Sequence, residues 1–161
     1  MNDDLTQEEA DAMFETDKMP KGNCSYIFPE KGEKLSIPFV SSDSREEFLF
    51  DISRHEIKVS KITYQNRVRK IFPLRRLDID GPPHKNPTVE EIPLPFLTPY
   101  NGALIRCPHL HIYVEFYMDK WAVPADIFLN LNPNDLFENM VAFSKYCNII
   151  NLPPINMQDE R

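Results

Sequence analysis

Between residues 23 and 80 the chain carries five strand-like runs with very little between them: "CSYIF", "KLSIPFV", "EFLFDIS", "EIKVSKITYQ" and "RVRKIFPLRRLDI". The breaks, such as "PEKGE" and "SSDSRE", are a few polar residues long and suit hairpin turns. Parallel pairing would need a crossover of a dozen residues or more, and no helical pattern separates these runs. The spacing therefore predicts an antiparallel meander. With a later strand added, the reading is an α+β fold: a strongly bent antiparallel sheet of about five to seven strands flanked by N- and C-terminal helices. A length of 161 residues suits one domain.

The segment 1–20 is read as helical around a capping box, because Thr6 is followed three residues later by Glu9 and then by the short apolar stripe Ala10, Met13 and Phe14. A second helix is expected over 134–149, with Asn134 as its cap and Leu136, Phe137, Met140, Val141, Ser144 and Cys147 on one side. Residues 81–106 hold six of the fifteen prolines and read as a long loop; 107–124 read as one strand, and 153–161 as a frayed tail. Four glycines, with neither GxGxxG nor GxxxxGK[ST], argue against a phosphate-loop enzyme. The N-terminus lacks the apolar core of a signal peptide, and no apolar run approaches the ~20 residues of a membrane helix. Three widely spaced cysteines form no disulfide framework, Cys24 and Cys147 being read as ordinary buried residues. A soluble cytoplasmic protein is expected.

The chemistry concentrates in "CPHLHIYVEFYM", residues 107–118. In an extended chain Leu110, Ile112, Val114, Phe116 and Met118 point one way, and Cys107, His109, His111, Tyr113 and Glu115 the other. Histidines two apart on a strand lie about 7 Å apart and can share a ligand. With Cys107 and Glu115 on the same side, His109 and His111 could hold zinc, although no cofactor is expected. Upstream, "RRLDIDG" alternates Arg76, Asp78 and Asp80 with Leu77 and Ile79. If both polar sides share one face, His109 and His111 become acid and base toward a phosphodiester, Asp78 or Asp80 orients them, and Arg76 clamps the phosphate. His84 would sit on a mobile, proline-rich rim. The bland alternative is a wet strand face.

The net charge of −7 disfavours broad attraction to nucleic acid, yet residues 54–76 hold eight Lys or Arg against one acid, Glu56. Lys58, Arg67 and Arg69 could track phosphates while Tyr64 stacks on a base. The same strip could instead hold the chain's own acidic N-terminus or an acidic protein partner.

Taken in order, "LTQEEADAM", "RLDIDGPPHKNP", "CPHLHIY" and "DKWAVP" resemble a family of small uncharacterised bacterial proteins found among prophage and mobile-element genes. The shorter pattern of RxD, a proline-flanked histidine and a histidine pair is similar to the toxin half of certain toxin–antitoxin modules. Phe116 and Met118 stand where the resembled family has glycine, and "EEIPLPFLTPY" is added length. The resemblance implies a mobile-element setting and a shared histidine region. The preferred reading is action in that setting on RNA or nucleotides, or on the machinery that handles them, through the His/Asp/Arg face, with a protein partner such as an antitoxin. Two non-catalytic readings stand beside it. One is a phage-encoded inhibitor of a host defence protein such as a CRISPR nuclease; the other is a module whose histidine face is an interface.

Overall fold

The computed structural model describes residues 4–132 and 134–158. Seven strands pair in chain order: β1 (Lys18–Pro20), β2 (Lys34–Ser41), β3 (Glu47–Arg54), β4 (Ile62–Val68), β5 (Phe72–Asp78), β6 (His109–Val114) and β7 (Met118–Pro124). Every pairing is antiparallel, and the sheet is not closed into a barrel.

Alternation along the strands decides which face is covered. β2 turns Ile37 and Phe39 inward, β3 turns Phe48, Phe50 and Ile52, and β4 turns Ile62, Tyr64 and Val68. The register sets Phe39 opposite Phe48, Ile37 opposite Phe50 and Ile52 opposite Tyr64, so these side chains stack into one apolar layer. Helix α1 (Gln7–Glu15) and helix α2 (Leu136–Tyr146) flank the sheet; the Phe143 ring of α2 stands 6.0 Å from Phe50 and 6.3 Å from Tyr64. Burial of a ring of this size contributes about 2 kcal/mol. The intervening residues Ser36, Asp51, Gln65 and Arg67 consequently occupy the opposite face, where they line a broad polar hollow.

Lys18 joins the two helices. Its buried Nζ donates to the carbonyls of Phe14, Thr16 and Cys147, which are the end of α1 and the C-cap of α2. The cation replaces water at carbonyls that helix ends leave unpaired.

The capping box at Thr6 forms as expected: Thr6 Oγ1 accepts from the Glu9 amide and Glu9 returns the bond to the Thr6 amide. Elsewhere the elements depart from the sequence reading. "RVRKIFPLRRLDI" is not one strand but the β4–β5 hairpin, turning at Arg69 (φ 53°) and Lys70 (φ 66°). Two successive positive φ values with the Ile71 amide on the Val68 carbonyl make a type I′ turn, whose usual Asn-Gly signal is missing here. Likewise 107–124 is two strands, β6 and β7, reversing through Phe116 (φ 71°) and Met118 (φ 56°). These two residues stand where glycine was expected, and each L side chain there carries a steric cost.

The proline-rich segment has structure of its own. His84–Lys85 pairs antiparallel with Leu104–Ile105, and Pro95–Tyr100 forms a 3-10 turn. Asn86 then fastens the segment to β7, the last strand of the sheet, by donating to the Ala122 carbonyl and accepting from the Ala122 amide. In the N-terminal segment the helix occupies only 7–15 and an edge strand follows; residues 1–3 lie outside the described residues. Of "CSYIF", only Tyr26–Ile27 pairs, and it does so in parallel with Ile155–Asn156. The tail is thus anchored at 155–156, with 159–161 outside the described residues. α2 is capped by Asp135, not Asn134, and is shorter than 134–149. Cys147 is buried, but Cys24 is exposed, and all three thiols are free. Among the described residues no helix is long and apolar enough to cross a membrane.

Candidate functional site

β5 and β6 lie side by side with Arg76 opposite His111 and Asp78 opposite His109. Residues facing one another on one sheet face are nearest neighbours, so the two polar patterns read from sequence merge into one cluster. Asp78 Oδ2 lies 3.1 Å from His109 Nε2 and 3.3 Å from His111 Nε2. Arg76 grips both oxygens of Asp78, through Nε at 3.1 Å and Nη2 at 3.2 Å, while Nη2 also approaches His111 Nε2 at 2.8 Å. The third arm, Nη1, donates to Asp119 at 2.8 Å.

Each histidine is oriented by a backbone carbonyl. His109 Nδ1 is 3.0 Å from the Ile105 oxygen, His111 Nδ1 is 2.8 Å from the Asp119 oxygen, and His84 Nε2 is 2.7 Å from the Lys120 oxygen. The His84 ring closes over the pair, its centroid 4.6 Å from His111 and 6.1 Å from His109. His109 and His111 are each only 2% exposed, whereas His84 is partly open.

The cluster floors a cleft of about 260 Å³, lined also by Lys61, Thr63 and Cys107. Thr63, Arg76 and Asp78 line both this cleft and a hollow of about 710 Å³ on the uncovered face of the sheet. Burial alone would raise the Asp78 carboxyl, but the His109 and His111 rings and the Arg76 guanidinium hold it far below the usual carboxylate range. Burial lowers the His84 imidazole, opposed by its bond to the Lys120 carbonyl and reinforced by the neighbouring His111, His109 and Arg76.

Of the residues singled out in the sequence, Arg76, Asp78, His84, His109 and His111 converge. His84 belongs to a two-residue strand pair, not to a free rim. Asp80 borders the cleft but turns to the Ser60 hydroxyl, to Lys58 Nζ at 2.9 Å and to the Gly81 amide, and those bonds bring it to about 2. It orients no histidine. Cys107 reaches the cleft with Sγ 3.6 Å from His109 Nδ1, but burial, then the Asp78 and Asp80 charges, push its thiol up to about 11. Without a metal it stands there as a neutral thiol, and the ligand atoms that lie within 4.8 Å of one another are those of Asp78, His109 and His111. Glu115 lies past the end of β6, accepts from the Gln7 amide at 3.1 Å and returns its own amide to Gln7 Oε1 at 2.9 Å. Its carboxylate caps α1 and is lost to any metal. Tyr113 is likewise elsewhere: its ring packs edge-on to Phe72 and its hydroxyl donates to the Leu5 carbonyl.

The residues read as a nucleic-acid strip are engaged within the protein. Tyr64 is fully buried, with its hydroxyl on the Leu136 carbonyl, so it has no ring face to offer a base. Arg67 is held bidentately by Asp51 at 2.6 and 3.0 Å, Arg69 by Glu46, and Lys58 by Asp80. Their charges are met mainly by acids of the sheet and its turns. Thr63 in the cleft and Asp119 on the adjoining hollow escaped the sequence reading. Thr63 donates to Asp78, and Asp119 holds both Arg76 and His111. Asp119 was hidden because a turn without glycine or proline folds it back beside His111.

Fold and cleft together define a class: an α+β protein with an open antiparallel sheet whose uncovered face ends in a buried His–Asp–Arg cluster. The chain belongs to the family described as "Family of unknown function (DUF6978)", which it matches over residues 5–149. No curated protein and no solved structure matches it.

Proposed function

We propose that the protein is a phosphodiester-directed enzyme acting on RNA or a nucleotide. The observation that carries this reading is the convergence of two imidazoles and a guanidinium on one carboxylate, with a third imidazole packed over them, beside a polar hollow. A hollow of about 710 Å³ lies in the usual range for small-molecule sites. Lys61 and Arg76 supply cations for a phosphate entering from the open face. His84 is the accessible imidazole. Its Nε2 is committed to the Lys120 carbonyl, which leaves Nδ1 to exchange a proton with a water, a 2′-hydroxyl or a leaving oxygen. Asp78, His109 and His111 form the floor. In the mobile-element setting that the motif set implies, the protein is the toxin half of a toxin–antitoxin module, and its protein partner is an antitoxin.

The test is turnover of an end-labelled single-stranded RNA and of a panel of nucleotides, with and without added divalent metal. The wild type should cleave at least one of them, and His84→Ala should slow it by about 100-fold or more while leaving the unfolding curve unchanged. Failure of the wild type to turn over any of them above the buffer blank, or equal rates in His84→Ala, would overturn the reading.

A further inference from the structure

We propose that Asp78, His109 and His111 bind one divalent transition-metal cation of the zinc class. The proposal concerns the cleft just described and rests on that reading for the cation's purpose, though not for its binding.

A carbonyl oxygen can only accept, so Ile105 fixes a proton on His109 Nδ1 and Asp119 fixes one on His111 Nδ1. Both Nε2 atoms lie against the same carboxylate oxygen, at 3.1 and 3.3 Å, so a proton or a cation must sit in each contact, and a ring without that proton turns a lone pair toward the oxygen. Electron pairs facing a carboxylate repel unless something electron-poor lies among them. The three ligand atoms all fall within 4.8 Å of one another, a span one cation can bridge. A ligating histidine whose other nitrogen donates to a backbone carbonyl is the usual outer-sphere arrangement of metal sites. Two imidazoles and one carboxylate favour zinc, cobalt or nickel over magnesium or calcium, and three protein ligands leave a position for water. Such a water, acidified by the cation, would give up a proton and form a new P–O bond while the P–O bond to the leaving alcohol breaks and that oxygen takes up a proton.

Arg76 sharpens the proposal. Its Nη2, 2.8 Å from His111 Nε2 and 3.2 Å from Asp78 Oδ2, already occupies the electron-rich pocket with a protein cation. A metal must displace that one arm, while Nη1 stays on Asp119. Arg76 therefore competes with the metal. Its removal should tighten binding, the reverse of what loss of a supporting residue does.

The experiment is cobalt(II) and zinc titration of the chelator-treated full chain without any substrate, read by metal content and by the visible cobalt absorption. The expected result is one equivalent per chain at micromolar metal or below, with a cobalt band of a four- or five-coordinate centre. His109→Asn should weaken binding by about 10-fold or more, Arg76→Gln should tighten it, and Cys107→Ser and Glu115→Gln should leave it unchanged. The proposal is overturned by less than about a tenth of an equivalent in the wild type, by loss of binding in Cys107→Ser, or by weaker binding in Arg76→Gln. The last variant keeps the test decisive if His109→Asn fails to fold. Metal uptake without RNA turnover would sink only the enzymatic reading. RNA turnover undiminished by chelation, with no uptake, would sink only this one.

Discussion

Two groups of charged residues stand out equally in the sequence, and the structure treats them in opposite ways. In the basic strip, Lys58, Arg67 and Arg69 each meet their own acid, and Lys58 and Arg69 remain largely in water. In the cleft a single carboxylate, Asp78, serves Arg76, His109, His111 and Thr63 at once, and both His109 and His111 are withdrawn from solvent. Cations with private partners are a solved surface. A crowd of donors around one buried acid is a concentrated field, and fields of that kind act on ligands. The lesson is that a run of cations shows where charge is, while the acids brought opposite it by the fold decide whether any charge is left to use.

Urea unfolding at pH 7 can break this contrast. Asp78→Ala should show the largest effect, about 3 kcal/mol of lost stability, because it leaves Arg76 with Asp119 alone and removes the buried acid that His109, His111 and Thr63 share. A loss no greater than that of a strip residue would abolish the distinction. Within the strip, Arg67→Gln should cost about 1.5 kcal/mol, since its bidentate bond to Asp51 is half-withdrawn from water. Lys70→Gly, in the turn that ends the strip, should raise stability by about 1 kcal/mol by relieving a left-handed backbone, and a neutral or negative effect would refute the strain argument. Arg69→Gln should move the unfolding free energy by no more than about 0.5 kcal/mol, as exposed ion pairs do; a larger loss would place the strip with the cleft.

Much of the fold was legible because it depends on local pattern. The alternations of β2, β3 and β4 hold in the sheet, and Thr6 with Glu9 caps α1 as written. The two missed hairpins share one cause: Arg69, Lys70, Phe116 and Met118 take positive φ without the glycine or asparagine that would announce it. The convergence of Arg76, Asp78, His109 and His111 was also within reach, since it needs only the antiparallel pairing of β5 with β6 on a common polar face. Glu115 and Tyr64 were misjudged because parity along a strand says nothing about where the strand stops or which face a helix covers. Asp119 was missed for the same reason.

The sequence by itself determined the element types and the chemistry available, because hydrophobic period and capping act over a few residues. Only the tertiary structure decided which acid neutralises which base, and that three imidazoles gather over one carboxylate, because such energies depend on distances between residues tens of positions apart. Asp78 and His109 are 31 residues apart in the chain and 3.1 Å apart in space.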